Sequence, residues 1–179
     1  MDLSLFDQRP IIVALAGSNG AGKTTFYHSQ LAETGLRFIN ADDLAAELQI
    51  EAYAAAELAA QLRLALVAKR ESFIFETVLS DPVGDKVQQL QDVAAEGYQV
   101  VLIFIQIADV ETSIQRVSMR VAQGGHDVPD EKLRSRFVRT RENLNRAIVS
   151  LPHVIILDNS DLSHPYRLVA VYQNGKRID

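Results

Sequence analysis

The 179-residue chain contains no cysteine, which excludes a disulfide framework and any thiolate zinc site. It has no apolar run approaching the ~20 residues that a membrane-spanning helix requires, so no membrane partner is expected. Met1 to Pro10 lacks the pattern of a signal peptide, and cytoplasmic residence is the resulting expectation. Positive charge is in deficit: 18 Lys and Arg stand against 23 Asp and Glu, a net charge of −5. That balance makes long nucleic acid an improbable partner. The Asn-Lys-x-Asp motif by which guanine-nucleotide switches read their base is missing, and His28, His153 and His164 show no metal-ligand spacing.

What is present is ordinary in bulk and specific in detail. With 47% hydrophobic and 23% charged residues, the chain is expected to form one domain over residues 1–179 with a sizeable core. Ile11 to Ala16 is a continuous apolar run of the kind found in parallel strands buried on both faces. Immediately after it, Gly17-Ser18-Asn19-Gly20-Ala21-Gly22-Lys23-Thr24 completes the pattern GxxxxGK[ST]. Thr25 to Glu33 follows without a helix breaker and stops at Gly35. Strand, glycine turn and helix N-terminus together make a phosphate cradle of inward backbone N–H groups. In that arrangement Lys23 reaches the β- and γ-phosphates, Thr24 ligates Mg²⁺, and Thr25 adjoins the same site. ATP and Mg²⁺ are therefore the expected cofactors.

The remainder alternates strands with helices: strands at 36–40, 72–79, 98–107 and 153–157, and helices between them. A hairpin is expected over 166–178, turning near Asn174-Gly175. The fold class is α/β, a P-loop NTPase three-layer sandwich with a mostly parallel five-stranded sheet and helices on both faces. Ligands bind at the carboxyl ends of such strands, which singles out Asn40 to Asp43, Glu76-Thr77, Asp109 and Asp158-Asn159. Asp42 or Asp43 can take the proton of an attacking hydroxyl, and either can cap the following helix. Glu76 lies in an otherwise apolar strand, where an unpartnered carboxylate is costly. It is expected near Mg²⁺, in contact with substrate beside Thr77, or paired with an arginine. Asn159 is expected at the nucleotide.

Between Arg116 and Arg146 eight cations (Arg116, Arg120, Lys132, Arg134, Arg136, Arg139, Arg141, Arg146) face four carboxylates (Asp127, Asp130, Glu131, Glu142). Two helices joined at Gly124-Gly125-His126 fit an arginine-rich lid over approximately 116–146 that closes on a triphosphate. His126 itself can contact phosphate or substrate, or hold the hinge.

Together these pieces resemble the zeta-toxin-like family of P-loop small-molecule kinases. The resemblance is carried by the loop 17–24, Ile39-Asn40-Ala41-Asp42, Phe75-Glu76-Thr77, Arg116 to Arg136 around Gly124-Gly125-His126-Asp127-Val128-Pro129, and Leu157-Asp158-Asn159-Ser160. It implies that Asp42 is the base, that Arg120 and Arg136 are lid arginines, and that an antitoxin protein is a candidate partner. It further implies ATP-dependent phosphorylation of a small-molecule hydroxyl, UDP-N-acetylglucosamine in known toxins of the family. The sequence departs from those toxins in being shorter and in carrying Thr77-Val78 where they have Gly-Thr. The competing expectations are a kinase of the same architecture acting on a polynucleotide 5′-hydroxyl, a nucleoside or an antibiotic, and a nucleotide-binding switch without acceptor.

Overall fold

The structure, a computed structural model, describes residues 7–125 and 127–178. Five strands form a parallel array: β1 (Ile11–Ala16), β2 (Arg37–Ile39), β3 (Phe73–Thr77), β4 (Gln99–Gln106) and β5 (His153–Asp158). The expected hairpin, β6 (Arg167–Gln173) and β7 (Lys176–Arg177), pairs antiparallel onto β5 instead of standing apart. The sheet consequently has seven strands, not five, in the order β2-β3-β1-β4-β5-β6-β7. Asn174 and Gly175 both adopt positive φ, 48° and 77°, as a tight hairpin turn between right-twisted strands requires.

Alternation along the strands sorts the core into two layers. Ile12, Ala14, Phe73, Phe75, Val100, Leu102 and Ile156 face one side and pack with Ala59, Leu66, Val87, Leu90 and Leu144. These come from α3 (Ala52–Ala68), α4 (Asp85–Ala95) and α6 (Asp130–Ser150). Ile11, Val13, Leu15, Ile74, Val101, Ile103 and Ile155 face the other side, against Phe26 and Leu31. Phe26 belongs to α1 (Lys23–Phe26), which is continued by a π-helical turn (Tyr27–Leu31) and a 3₁₀ turn (Ala32–Thr34). The expected regular helix is therefore short and irregular, although it does end at Gly35 in the left-handed region. Helices α2 (Ala41–Leu48) and α5 (Val110–Ala122) complete the set. Val117, Val128 and Leu133 seal α5 against the start of α6, with Ile114 and Val121 around them.

Two local expectations shift. In α3 the buried stripe is Ala55, Ala59 and Leu66, while Ala54 and Ala65 are exposed. Alanine on every side of that helix leaves its rotational phase undefined by pattern alone. Asp81-Pro82 reads in the sequence as a helix start, yet α4 begins at Asp85, after Gly84. Residues 78–81 stay a loop because α6 holds their carbonyls. Thr140 donates to Val78, Arg139 to Ser80, and Asn143 to both Leu79 and Asp81. No helix among the described residues is long and apolar enough to cross a membrane.

Leu102 is fully buried at the centre of β4. Leu102→Ala is expected to lower stability by about 2–5 kcal/mol. Urea denaturation should show a reduced midpoint and an unchanged slope, marking loss of core packing without change of fold.

Candidate active site

The parallel register between β1 and β3 sets Glu76 opposite Leu15 and Thr77 opposite Ala16. Glu76 therefore leaves its strand directly beside the turn that follows β1. Its Oε2 accepts a hydrogen bond from Thr24 Oγ1 at 2.8 Å, and one from Asn40 Nδ2 at 3.3 Å. Its Oε1 lies 3.6 Å from Lys23 Nζ. Lys23 also donates to the Ser18 carbonyl at 3.1 Å, so its buried ammonium is held by the loop it belongs to. Burial pulls the Lys23 pKa below the ordinary lysine value, against the opposing pull of Glu76 and Asp42. Thus Glu76 is paired with lysine and threonine, not with an arginine.

The loop is braced from three elements that its own sequence does not reveal. Ser113 of α5 donates to the Asn19 carbonyl at 2.7 Å. Asn159, past β5, donates to the Ala21 carbonyl at 2.8 Å, and Tyr166 donates to the Gly22 carbonyl at 3.0 Å. A Cβ on Gly22 would stand 2.6 Å from the Asn159 amide nitrogen, so only glycine admits this brace. Arg116 joins the same assembly, donating to the carbonyls of Gly20, Asn159 and Ser160 at 3.3, 2.9 and 3.2 Å. Its guanidinium ties the loop to the β5 end while its side chain lines the cleft. Asn159 thus contacts the loop and is not among the residues that line the cleft.

That cleft, of about 800 Å³, opens over the loop and runs between α2, α3, α5 and α6. Of the expected residues it collects Asn19, Gly20, Gly22, Lys23, Thr24, Thr25, Asp42, Glu76, Thr77, Arg116, Arg120 and Arg136. Gly17, Ser18 and Ala21 complete the turn from below, the last two buried. The Thr77 hydroxyl accepts the Leu79 N–H at 3.1 Å, which leaves its own O–H to donate. His126 lies outside the described residues.

At the start of α2 the cap is Asn40, whose side chain accepts the Asp42 N–H at 2.9 Å. Neither aspartate is used as the cap. Asp42 is exposed and lies 4.0 Å from Arg120 Nη1 across the cleft. Asp43 is pushed above the ordinary aspartate value by partial burial and by the charges of Glu76 and Asp42. Arg120 owes its position to Gly125, where a Cβ would stand 2.6 Å from the Arg120 Cγ. That glycine makes room for the arginine. Other arginines of the same stretch have structural duties: Arg134 forks onto Glu111, and Arg146 donates to Asn143 at 2.7 Å. Arg136 lines the cleft and forms no hydrogen bond or ion pair among the described residues.

Thr24 and Glu76 supply a hydroxyl and a carboxylate oxygen side by side, the sparse donor set of a Mg²⁺ ion that completes its shell with phosphate and water. Among the described residues no group of three or more His, Asp or Glu forms a dedicated metal cage. The residues fit a nucleotide-borne Mg²⁺.

Residues 3–168 match the family described as Zeta toxin. The chain belongs to the zeta toxin family. No curated protein sequence matches it. Among solved structures it is similar to AvrRxo1-ORF1 in its complex with AvrRxo1-ORF2 and ATP, with 20% identity and a TM-score of 0.75. That likeness covers 98% of this chain and 62% of the other, so this zeta toxin chain spans about three fifths of that relative's length. The PezAT toxin-antitoxin system of Streptococcus pneumoniae gives 18% identity and a TM-score of 0.59, covering 91% and 72%. Deoxyadenosine kinase from M. mycoides, bound to dATP, gives 16% and 0.52 over 83% and 91%. These likenesses establish the P-loop kinase fold.

Tyr166→Phe removes the hydroxyl that donates to the Gly22 carbonyl and meets the Thr25 side chain, and keeps the ring contact with Phe26, whose ring lies 5.0 Å away. A bond of this kind contributes about 0.5–1.5 kcal/mol. ATP affinity measured by calorimetry should fall roughly 2- to 13-fold, with a melting temperature within a few degrees of the parent.

Proposed function

We propose that this zeta toxin family chain is an ATP-dependent phosphotransferase that moves the γ-phosphoryl group onto a hydroxyl of a small-molecule acceptor, a nucleotide sugar such as UDP-N-acetylglucosamine being the first candidate. The observation that carries this reading is the convergence of Lys23, Thr24, Glu76 and Asp42 on one cleft. Lys23 would release the Ser18 carbonyl to hold the β- and γ-phosphates. Thr24 and Glu76 would hold Mg²⁺, which neutralises phosphate charge when bound.

The acceptor oxygen attacks the γ-phosphorus in line with the β–γ bridging oxygen. As the new P–O bond forms and the bridging bond breaks, the acceptor proton passes to Asp42 and ADP leaves. Asp42 suits this role because it is exposed into the cleft, is not used as the helix cap, and faces Arg120. Arg120 and Arg136 project from the two helices of the lid and are placed to meet charge on the transferring group.

The complex described for AvrRxo1-ORF1 with AvrRxo1-ORF2 and the PezAT toxin-antitoxin system support a protein partner. An antitoxin is part of the proposal on that ground.

The reading is tested by incubating the protein with labelled ATP and a panel of nucleotide sugars, nucleosides and short 5′-hydroxyl oligonucleotides, read as a mass increase of the acceptor. Transfer to a nucleotide sugar is the expected result, and ATP turnover indifferent to every acceptor counts against a kinase. With the acceptor in hand, Asp42→Asn should lower kcat by about 10²–10⁴ and leave ATP affinity intact. Asp43→Asn should change kcat less than about threefold, because asparagine keeps the helix end and Asp43 is not the base.

Closure of the lid has its own signature. The helix ends around residues 120–136 should gain hydrogen-exchange protection when ATP and Mg²⁺ are added. The α6 segment 139–146, bonded to the loop after β3, should be equally protected with and without them. Equal protection of 120–136 in both states would count against closure.

A further inference from the structure

The cleft extends well past the phosphate loop. Its far end lies between α3 and α4, where Ala56, Ala59 and Ala60 leave room and Arg63 and Lys86 supply charge. Neither cation has any part in the nucleotide site described above. Small side chains and Arg63 on α3, with Lys86 facing them from α4, make a recess with a definite chemical preference.

Arg63 is fixed: its guanidinium carbon lies 4.8 Å from the centroid of the Phe75 ring, a cation–π contact that holds the plane of the group. Lys86 sits at the first turn of α4 and is half-buried. Burial draws the pKa of both groups below their ordinary values. For Lys86 the attraction of Asp81 and Asp85 works against burial, while Arg63 and Arg136 reinforce it. Neither Arg63 nor Lys86 has a hydrogen bond or ion pair among the described residues. The Asp81 carboxylate, though its pull on Lys86 is felt, has both oxygens buried without a hydrogen-bond partner.

Contrast the other end of the cleft. There Lys23 is held by Ser18 and Glu76, Arg116 by three carbonyls, and Arg120 by Asp42. Cations at that end are neutralised or bonded, whereas Arg63 and Lys86 are partly stripped of water and, among the described residues, make no ion pair, the nearby Asp81 and Asp85 included. A desolvated cation without a partner is unfavourable, and an arriving oxyanion removes that penalty.

We infer that Arg63 and Lys86 form an oxyanion subsite at the acceptor end of the cleft, which holds a phosphate or carboxylate group of the acceptor while its hydroxyl meets Asp42. The inference rests on the phosphotransferase reading and names the substrate class of that site: an anionic small molecule, not a neutral sugar or neutral antibiotic. Arg63 offers a fork to two oxygens, and Lys86 a point charge to a third or to the same pair.

The test uses the whole protein saturated with a non-hydrolysable ATP analogue and Mg²⁺, so that the phosphate loop is blocked. It is titrated with inorganic phosphate and, separately, with acetate at constant ionic strength, followed by calorimetry and melting temperature. Saturable binding of one or both anions is expected. Arg63→Gln and Lys86→Gln should each weaken it at least tenfold, with analogue affinity kept within twofold. Lys69→Gln, an exposed charge at the end of α3, should leave it unchanged. The tighter of the two anions identifies the group, phosphate or carboxylate.

No saturable binding to the parent protein, or equal binding by parent and both variants, overturns the subsite. Lys86→Gln decides the matter alone should Arg63→Gln lose its fold with the Phe75 contact. Because binding is read without turnover, failure to find an acceptor leaves the subsite still tested. Once an acceptor is known, both variants should raise its KM at least tenfold and change kcat less than threefold. An unchanged KM overturns the assignment.

Discussion

The site depends on a single carboxylate emerging from an apolar strand. Glu76 is flanked by Phe75 and Thr77 in a sheet whose neighbouring strands are almost wholly hydrocarbon, and an ionised group there needs partners on all sides. It finds them in Lys23, Thr24 and Asn40, one from the loop, one from the first helix and one from the cap of the second. Two segments distant in sequence from β3, the loop end at 23–24 and the cap at Asn40, are thereby fixed to one point. The strand register delivers Glu76 to that point, and the sheet order, with β1 between β3 and β4, brings the loop within reach. Local strand chemistry and the assembly of the site are the same event.

The lysine of the loop shows how such a site persists without a nucleotide. A buried ammonium with no partner would be unfavourable, yet Lys23 has a carbonyl and a carboxylate at hand. In the proposed nucleotide complex the Ser18 carbonyl is the contact that phosphate oxygens would replace. The depressed Lys23 basicity and the retained Glu76 contact are two sides of one balance between desolvation and pairing. On the proposed reading, phosphate would meet an ammonium already held in place by its neighbours.

Much of this was legible in the sequence because its signals are local. The loop pattern between an apolar run and a helix fixed the nucleotide end. The strand-end rule then gathered Asp42, Glu76 and Asn159 at the same sheet edge. The helical spacing of Leu133, Phe137, Thr140, Leu144 and Ile148 also marks the inner face of α6, where Leu133, Thr140 and Leu144 are buried. The misreadings come from places where a distant contact decides. The hairpin's union with β5 depends on a long-range ladder, and the loop after β3 depends on α6 side chains sixty residues away. Alanine-rich α3 carries too little contrast to set its own phase, which also hid Arg63 in a stretch of small residues. Ser113 and Tyr166 bind backbone carbonyls, and no motif marks a residue whose partner is a peptide group.

The bracing of the phosphate loop fixes an order of assembly. Its contacts come from Ser113, Arg116, Asn159 and Tyr166, all of them made well after the loop itself during synthesis. Phe26 of α1 already holds the Gly22 carbonyl through its N–H, but the carbonyls of Asn19 and Ala21 are held by Ser113 and Asn159, residues far along the chain. The loop's bracing is complete only with residues 159 to 166 in place beside β5 and β6. The loop's final shape is therefore a property of the finished sheet, set by contacts that span more than ninety residues of sequence.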